Sequence, residues 1–93
     1  MLLSLLRIHG HSMQPVISNG QKVLASSLPF LFSKPKINDI VVFKSESKIF
    51  VKRIRSVSED KYFLEGDNKS DSLDSREFGL INRKNILAKV LWY

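Results

Sequence analysis

Ile40-Val41-Val42-Phe43-Lys44, a polar turn over residues 45–48, and then Ile49-Phe50-Val51-Lys52-Arg53-Ile54-Arg55-Ser56-Val57 decide the fold class. The first segment is a continuous β-branched and aromatic run, a composition that suits a pleated, packed surface. The second is another strand, and successive side chains of a strand point to opposite faces. Lys52 therefore shares a face with Phe50 and Ile54, and Arg53 shares the other with Val51 and Arg55. If the Phe50/Ile54 face packs inward, the Lys52 amine is carried into an apolar setting. The alternative places Lys52 on an exposed edge with its ammonium group reaching water. A lysine buried without purpose is rare, because desolvating its charge is costly.

Outward from this pair the same texture continues. Residues 2–8, Lys22–Ser26, residues 62–65 and Ile86–Trp92 read as further short strands. Between them lie turn-forming stretches. Residues 12–20 carry Pro15 and Asn19-Gly20, and read as a turn or a short helical loop. Residues 28–36 carry Pro29 and Pro35 and enclose the apolar cluster Leu28, Phe30, Leu31 and Phe32. Residues 66–79 are polar and turn-rich. Five or six short strands without a helical period predict an all-β domain, a small folded sheet or β-barrel. Residues 1–93 make a single domain, and a chain this short buries only about 60–65% of its unfolded surface.

Composition narrows the chemistry. The chain has no cysteine, which excludes a disulfide framework, thiol catalysis and a thiolate zinc site. His9 and His11 are too few for a metal site without carboxylate partners, so no metal or cofactor is expected. The net charge of +6 suits an anionic membrane surface or nucleic acid as readily as it suits a plain basic domain. The positive charges are scattered rather than gathered in one tract, which argues against nucleic acid. Residues 1–6 are apolar apart from Ser4, but Arg7 ends the run far short of the ~20 residues that span a bilayer. The expectation is a soluble or peripheral domain, cytoplasmic or at a membrane surface. The apolar cluster at residues 28–32 then has three readings: core, a wall for a bound peptide, or a membrane-touching patch.

One serine stands in a setting suited to a nucleophile. Ser12 lies in Gly10-His11-Ser12-Met13-Gln14-Pro15, a turn bounded by glycine and proline. Read in order, this hexapeptide, Asn19-Gly20-Gln21-Lys22-Val23-Leu24, Asn38-Asp39-Ile40-Val41-Val42-Phe43 and Phe50-Val51-Lys52-Arg53-Ile54 lead to a polar stretch. That stretch is Gly66-Asp67-Asn68, then Ser72-Leu73-Asp74-Ser75-Arg76, then Phe78-Gly79. Together these five boxes resemble the signal peptidase family over nearly the whole chain. The sequence departs from the family pattern at Val16-Ile17 after Pro15, at Gln21 where aspartate is usual, and at Asn38 where glycine is usual. The short length and the ending at residues 88–93 are also similar to a compact branch, the nickel-type superoxide dismutase maturation proteases.

The resemblance implies a Ser/Lys endopeptidase of the signal-peptidase catalytic-core type, with Ser12 as nucleophile and Lys52 as general base. A lysine of ordinary pKa, ~10.4, is neutral in only about one molecule in 2,500 at pH 7, so the base must be desolvated. By the same resemblance Ser72 orients the Lys52 amine, and Asp74 and Arg76 form a supporting ion pair. The Ser12 backbone N–H is the expected oxyanion donor, since Gly10 has no side chain to add one. Met13 is a candidate for lining the substrate pocket. Asp67 and Asn68 are expected to close turns, and the resemblance does not call on His11 for catalysis. The implied partner is a precursor protein or its leader peptide, bound as an extended strand, while the oligomeric state is open. The rival classes are a catalytically inactive peptide-binding module and a small basic nucleic-acid-binding β-barrel. The second would bind oligonucleotides with a steep salt dependence.

Overall fold

The computed structural model describes residues 2–68 and 79–93. Among these residues the regular structure is all β-strand apart from short 3-10 turns, as the short β-type runs without a helical period predict. The strands are β1 (Ser4–Arg7), β2 (Lys22–Ser26), β3 (Ile40–Ser45), β4 (Lys48–Ser58), β5 (Lys61–Glu65), β6 (Ile81–Asn82) and β7 (Ile86–Trp92). They form one antiparallel sheet in the order β1-β2-β7-β3-β4-β5-β6. Short 3-10 turns occupy Leu28–Leu31 and Arg83–Asn85.

The deciding stretch folds as a tight hairpin. Ser45 pairs with Lys48, and Glu46 and Ser47 form the two-residue turn with φ of 50° and 68°. Positive φ at both central positions matches the right-handed twist of the flanking strands. This turn sets the register down the hairpin, placing Phe43 opposite Phe50, Val42 opposite Val51 and Val41 opposite Lys52. The rings of Phe43 and Phe50 stack with centroids 5.6 Å apart.

β3 is buried on both faces, which explains its unbroken apolar run. Ile40 and Val42 belong to a cluster with Met13, Ile17, Val23, Ala88 and Val90. Val41 and Phe43 belong to a second cluster with Ile54, Tyr62, Leu64, Ile81 and Ile86. The two departures at turn positions are both accommodated. Asn38 has φ of 79°, a left-handed conformation that asparagine tolerates better than most residues. Its N–H donates to the Ile54 carbonyl at 2.9 Å. The Gln21 side-chain oxygen accepts the Ser18 N–H at 3.0 Å, as a shorter acidic acceptor would.

The 3-10 turn after β2 decides against the core reading for most of the cluster at residues 28–32: Leu28 and Leu31 are exposed and Phe32 is 89% exposed. Only Phe30 packs inward, against the second cluster, with the Arg83 guanidinium 5.2 Å above its ring. Pro29 turns the chain within one 3-10 turn, too short to bury every apolar side chain it carries.

Tyr62 is fully buried, and its hydroxyl has no hydrogen-bond partner among the described residues. Burial pushes its pKa up, with Arg83 opposing. Because the folded value lies above the ordinary ~10, Tyr62 contributes stability that is complete below that value and is lost as pH rises through the raised one. Tyr62→Phe is expected to leave stability at pH 7 unchanged or raise it by up to about 1 kcal/mol, and to lessen the alkaline loss. Thermal unfolding at pH 7 and above pH 10 checks this; clear destabilisation at pH 7 would contradict it.

Candidate functional site

Lys52 lies on the face of β4 that turns inward. It is 3% exposed, beside the fully buried Ile54, so the alternation of the strand is realised as burial rather than as an exposed edge. Directly across the ladder stands Val41, in the core of the second cluster.

Ser12 sits forty positions earlier, in the turn between β1 and β2. Met13 and Ile17 anchor that turn, both buried in the first cluster, and the Ile17 N–H donates to the Met13 carbonyl at 2.9 Å. The base of the loop is laced by Gly20 N–H to the Ile8 carbonyl at 2.7 Å and Ile8 N–H to the Gln21 carbonyl at 2.8 Å. The Asn19 side-chain oxygen accepts the Gly10 N–H at 2.8 Å. Gly10 has φ of 95°, a conformation in which a side chain would be strained. Ser12 is thus a half-buried residue on a braced turn, with His9 and His11 exposed beside it.

The two residues line one cleft of about 290 Å³. Its walls are residues 6–9 of the β1 segment and residues 49–52 of β4, with Ser12 and Met13 contributing between them. Three strands separate β1 from β4 in the sheet order, so the sheet curls far enough to bring them to opposite sides of a groove. β5 pairs with β4 only from Arg53 onward, so residues 49–52 pair with β3 alone among the described strands, and these same residues line the cleft. Met13 serves two roles, lining the cleft while buried in the core. A second hollow, lined by Asp60, Asn82, Arg83 and Lys84, contains no serine or buried lysine.

Asp67 and Asn68, expected to close turns, do more. The Asp67 carboxylate accepts both Nε and Nη2 of Arg53, at 2.9 and 2.8 Å, and Nη2 of Arg55 at 3.3 Å. Arg55 lies two positions on from Arg53 on the same strand, where β4 bulges against β5 between Ile54 and Ser56. Arg53 also donates from Nη1 to the Asn38 carbonyl at 2.9 Å. The hydrogen bond to Asp67 raises the Arg53 pKa against the opposing effect of burial. The next residue, Asn68, donates its backbone N–H to the Ser12 carbonyl at 2.8 Å and its side-chain Nδ2 to the His11 carbonyl at 3.0 Å. The segment therefore straps the serine turn to the lysine strand. Ser72, Asp74 and Arg76, the expected supporting residues, lie outside the described residues, as does Phe78. No sequence spacing pointed to the strap, because its partners are 12 to 57 positions apart.

Asp67 is the keystone of this strap, with a side chain 9% exposed against 18% for Arg53. Removing its charge leaves the Arg53 guanidinium facing a neutral partner in a partly desolvated site, while Arg55 keeps the Glu65 carboxylate 3.8 Å away. Asp67→Asn is expected to destabilise the fold by about 2–3 kcal/mol, below the full penalty of a deeply buried pair. Chemical denaturation of the two proteins measures this, and equal stability would contradict the account.

No helix among the described residues is long and apolar enough to cross a membrane. The sequence pattern of the family described as signal peptidase, peptidase S26, matches residues 1–56 and 54–93. The chain is 25% identical over 128 aligned residues to thylakoidal processing peptidase 1, chloroplastic, of Arabidopsis thaliana, covering 84% of this chain and 38% of that protein. It is 43% identical over 54 residues to signal peptidase I of Buchnera aphidicola subsp. Schizaphis graminum, covering 58% of this chain and 16% of that protein. The chain thus spans well under half the length of these relatives. With the family pattern matching two stretches that together cover the chain, this protein belongs to the signal peptidase, peptidase S26, family.

Proposed function

We propose that the chain is a serine endopeptidase that removes N-terminal leader segments from precursor proteins, with Ser12 as nucleophile and Lys52 as general base. The observation that carries the reading is the meeting of a half-buried serine on a braced turn and a buried lysine at one cleft. A serine hydroxyl needs a base to become a nucleophile. A lysine serves only when neutral, a form that burial favours in general, and Lys52 is 3% exposed. In the proposed reaction Lys52 takes the Ser12 proton as Oγ attacks the scissile carbonyl. The Ser12 backbone N–H stabilises the oxyanion. The proton then passes to the leaving amine, and the acyl group stays on Ser12 until water, activated by Lys52, releases it. Ser72 would orient the Lys52 amine, with Asp74 and Arg76 as a supporting pair.

The groove between residues 6–9 and 49–52 suits an extended peptide, which adds to a strand edge through main-chain hydrogen bonds and is selected by side-chain pockets. The named relatives are signal and thylakoidal processing peptidases, so a leader-bearing precursor is the substrate class proposed here. Wild type is expected to cleave at least one of a panel of leader-bearing peptides. Ser12→Ala and Lys52→Ala should each lower the rate by more than about 1,000-fold, as removal of members of a nucleophile–base pair does elsewhere. Cleavage that survives Ser12→Ala would refute the nucleophile.

Leu31 and Phe32 are exposed on a chain of net charge +6, which favours peripheral contact with an anionic membrane. Co-sedimentation with anionic vesicles should occur and should weaken in Phe32→Ser; absence of binding by wild type would refute the contact.

A further inference from the structure

The reading of Ser12 as nucleophile leaves the oxyanion donor depending on a single peptide group, and the structure holds that group from behind. The Ser12 N–H belongs to the peptide plane whose carbonyl is that of His11. In a trans peptide the C=O and N–H point in opposite directions from one rigid plane, and the cis peptide of this turn is elsewhere, at Gln14–Pro15. The His11 carbonyl accepts the Asn68 Nδ2–H at 3.0 Å and the Gln14 N–H at 3.2 Å. The Asn68 backbone N–H holds the next carbonyl, that of Ser12, at 2.8 Å. One residue thus grips both peptide planes that flank the Ser12 Cα.

We propose that Asn68 is the positioning residue of the oxyanion donor: its side-chain amide fixes and polarises the His11–Ser12 peptide so that the Ser12 N–H is aimed into the cleft. This inference rests on the proposed nucleophile and goes beyond it by assigning a role to a residue outside the Ser/Lys pair. Two physical effects act together. A hydrogen bond on a carbonyl polarises the N–H of the same peptide, because hydrogen bonds in a chain strengthen one another. The bond also limits rotation of the plane, so the donor needs no reorganisation when negative charge develops. Asn68 is itself held in place, because Asp67 is clamped by Arg53, the neighbour of Lys52 on β4. The donor and the base are therefore indexed to the same strand.

The role requires a side-chain donor of this length. Asn68→Ala removes the donor while the His11 carbonyl keeps the Gln14 N–H and gains water, since His11 is exposed. Asn68→Asp keeps the size but turns an acceptor oxygen toward the carbonyl. Both variants retain the backbone bond to Ser12, so the fold is expected to survive.

The test uses the leader peptide cleaved by wild type, a peptide aldehyde of the same sequence that forms a tetrahedral adduct on a serine, and the released product peptide. Both Asn68 variants are expected to lose about 10–100-fold in kcat at nearly constant KM, a smaller effect than deleting an oxyanion donor outright. Aldehyde affinity should fall by the same factor, while product-peptide affinity and the thermal midpoint hold. A merely structural residue would weaken all ligands together and lower the midpoint, and that pattern would overturn the assignment. Full wild-type kcat in both variants would overturn it as well. Ser12→Ala is the control: if it is inactive while the Asn68 variants are fully active, the positioning role alone fails. If Ser12→Ala still cleaves, the nucleophile reading fails and this inference fails with it.

Discussion

The register between β3 and β4 is the constraint on which the rest of the site depends. Ser45 opposite Lys48 across a two-residue turn sets every later pair, ending with Val41 opposite Lys52 and Ile40 opposite Arg53. A slip by one residue would exchange the faces of the whole strand. Lys52 and Ile54 would then point away from the core of Val41 and Phe43, and Arg53 would enter it. The apolar residues on the two faces of β3 make that slip costly, because both faces are already filled. The position of one buried amine is thus fixed by ordinary sheet physics, through the hairpin turn and the packing of β3.

Arg53 transmits that register to the serine. It follows Lys52 on the strand, points to the opposite face, and meets Asp67 in a bidentate ion pair. Buried ion pairs add little net stability compared with an apolar packing of the same shape, but they penalise any arrangement that separates them. Here the pair serves as a locating pin. With Asp67 held, Asn68 reaches the His11 and Ser12 carbonyls, and the serine turn cannot drift without breaking bonds to the segment pinned on β4. The exposed apolar side chains at Leu31 and Phe32 lie outside this framework and contribute nothing to holding it.

Much of this was legible in the chain, for physical reasons that differ by residue. The unbroken apolar run of residues 40–43 marked a strand buried on both faces, and the period of two in β4 placed Lys52 with Phe50 and Ile54. Whether that face turned inward was not decidable locally, since it depends on what packs against it. Asn38 and Glu46-Ser47 adopt left-handed backbone without the glycine that would have announced it, so only the polar character of their turns was visible. β6 is two residues long and gives no periodic signal. The cluster at residues 28–32 invited a core reading because hydrophobicity was weighed without the geometry of a single 3-10 turn. Asp67 and Asn68 were read as turn residues because their partners are distant in sequence, and side-chain pairing across such distances leaves no local pattern.

The central claim is that Ser12 becomes acylated because Lys52 lies in the same cleft. The most direct measurement is mass spectrometric mapping of the covalent adduct formed by a leader-derived activated ester, in wild type and in Lys52→Ala. The account predicts an acyl group on Ser12 in wild type and its loss, or a rate lower by orders of magnitude, in Lys52→Ala. An adduct on another residue, or acylation of Ser12 at an unchanged rate without Lys52, would contradict it.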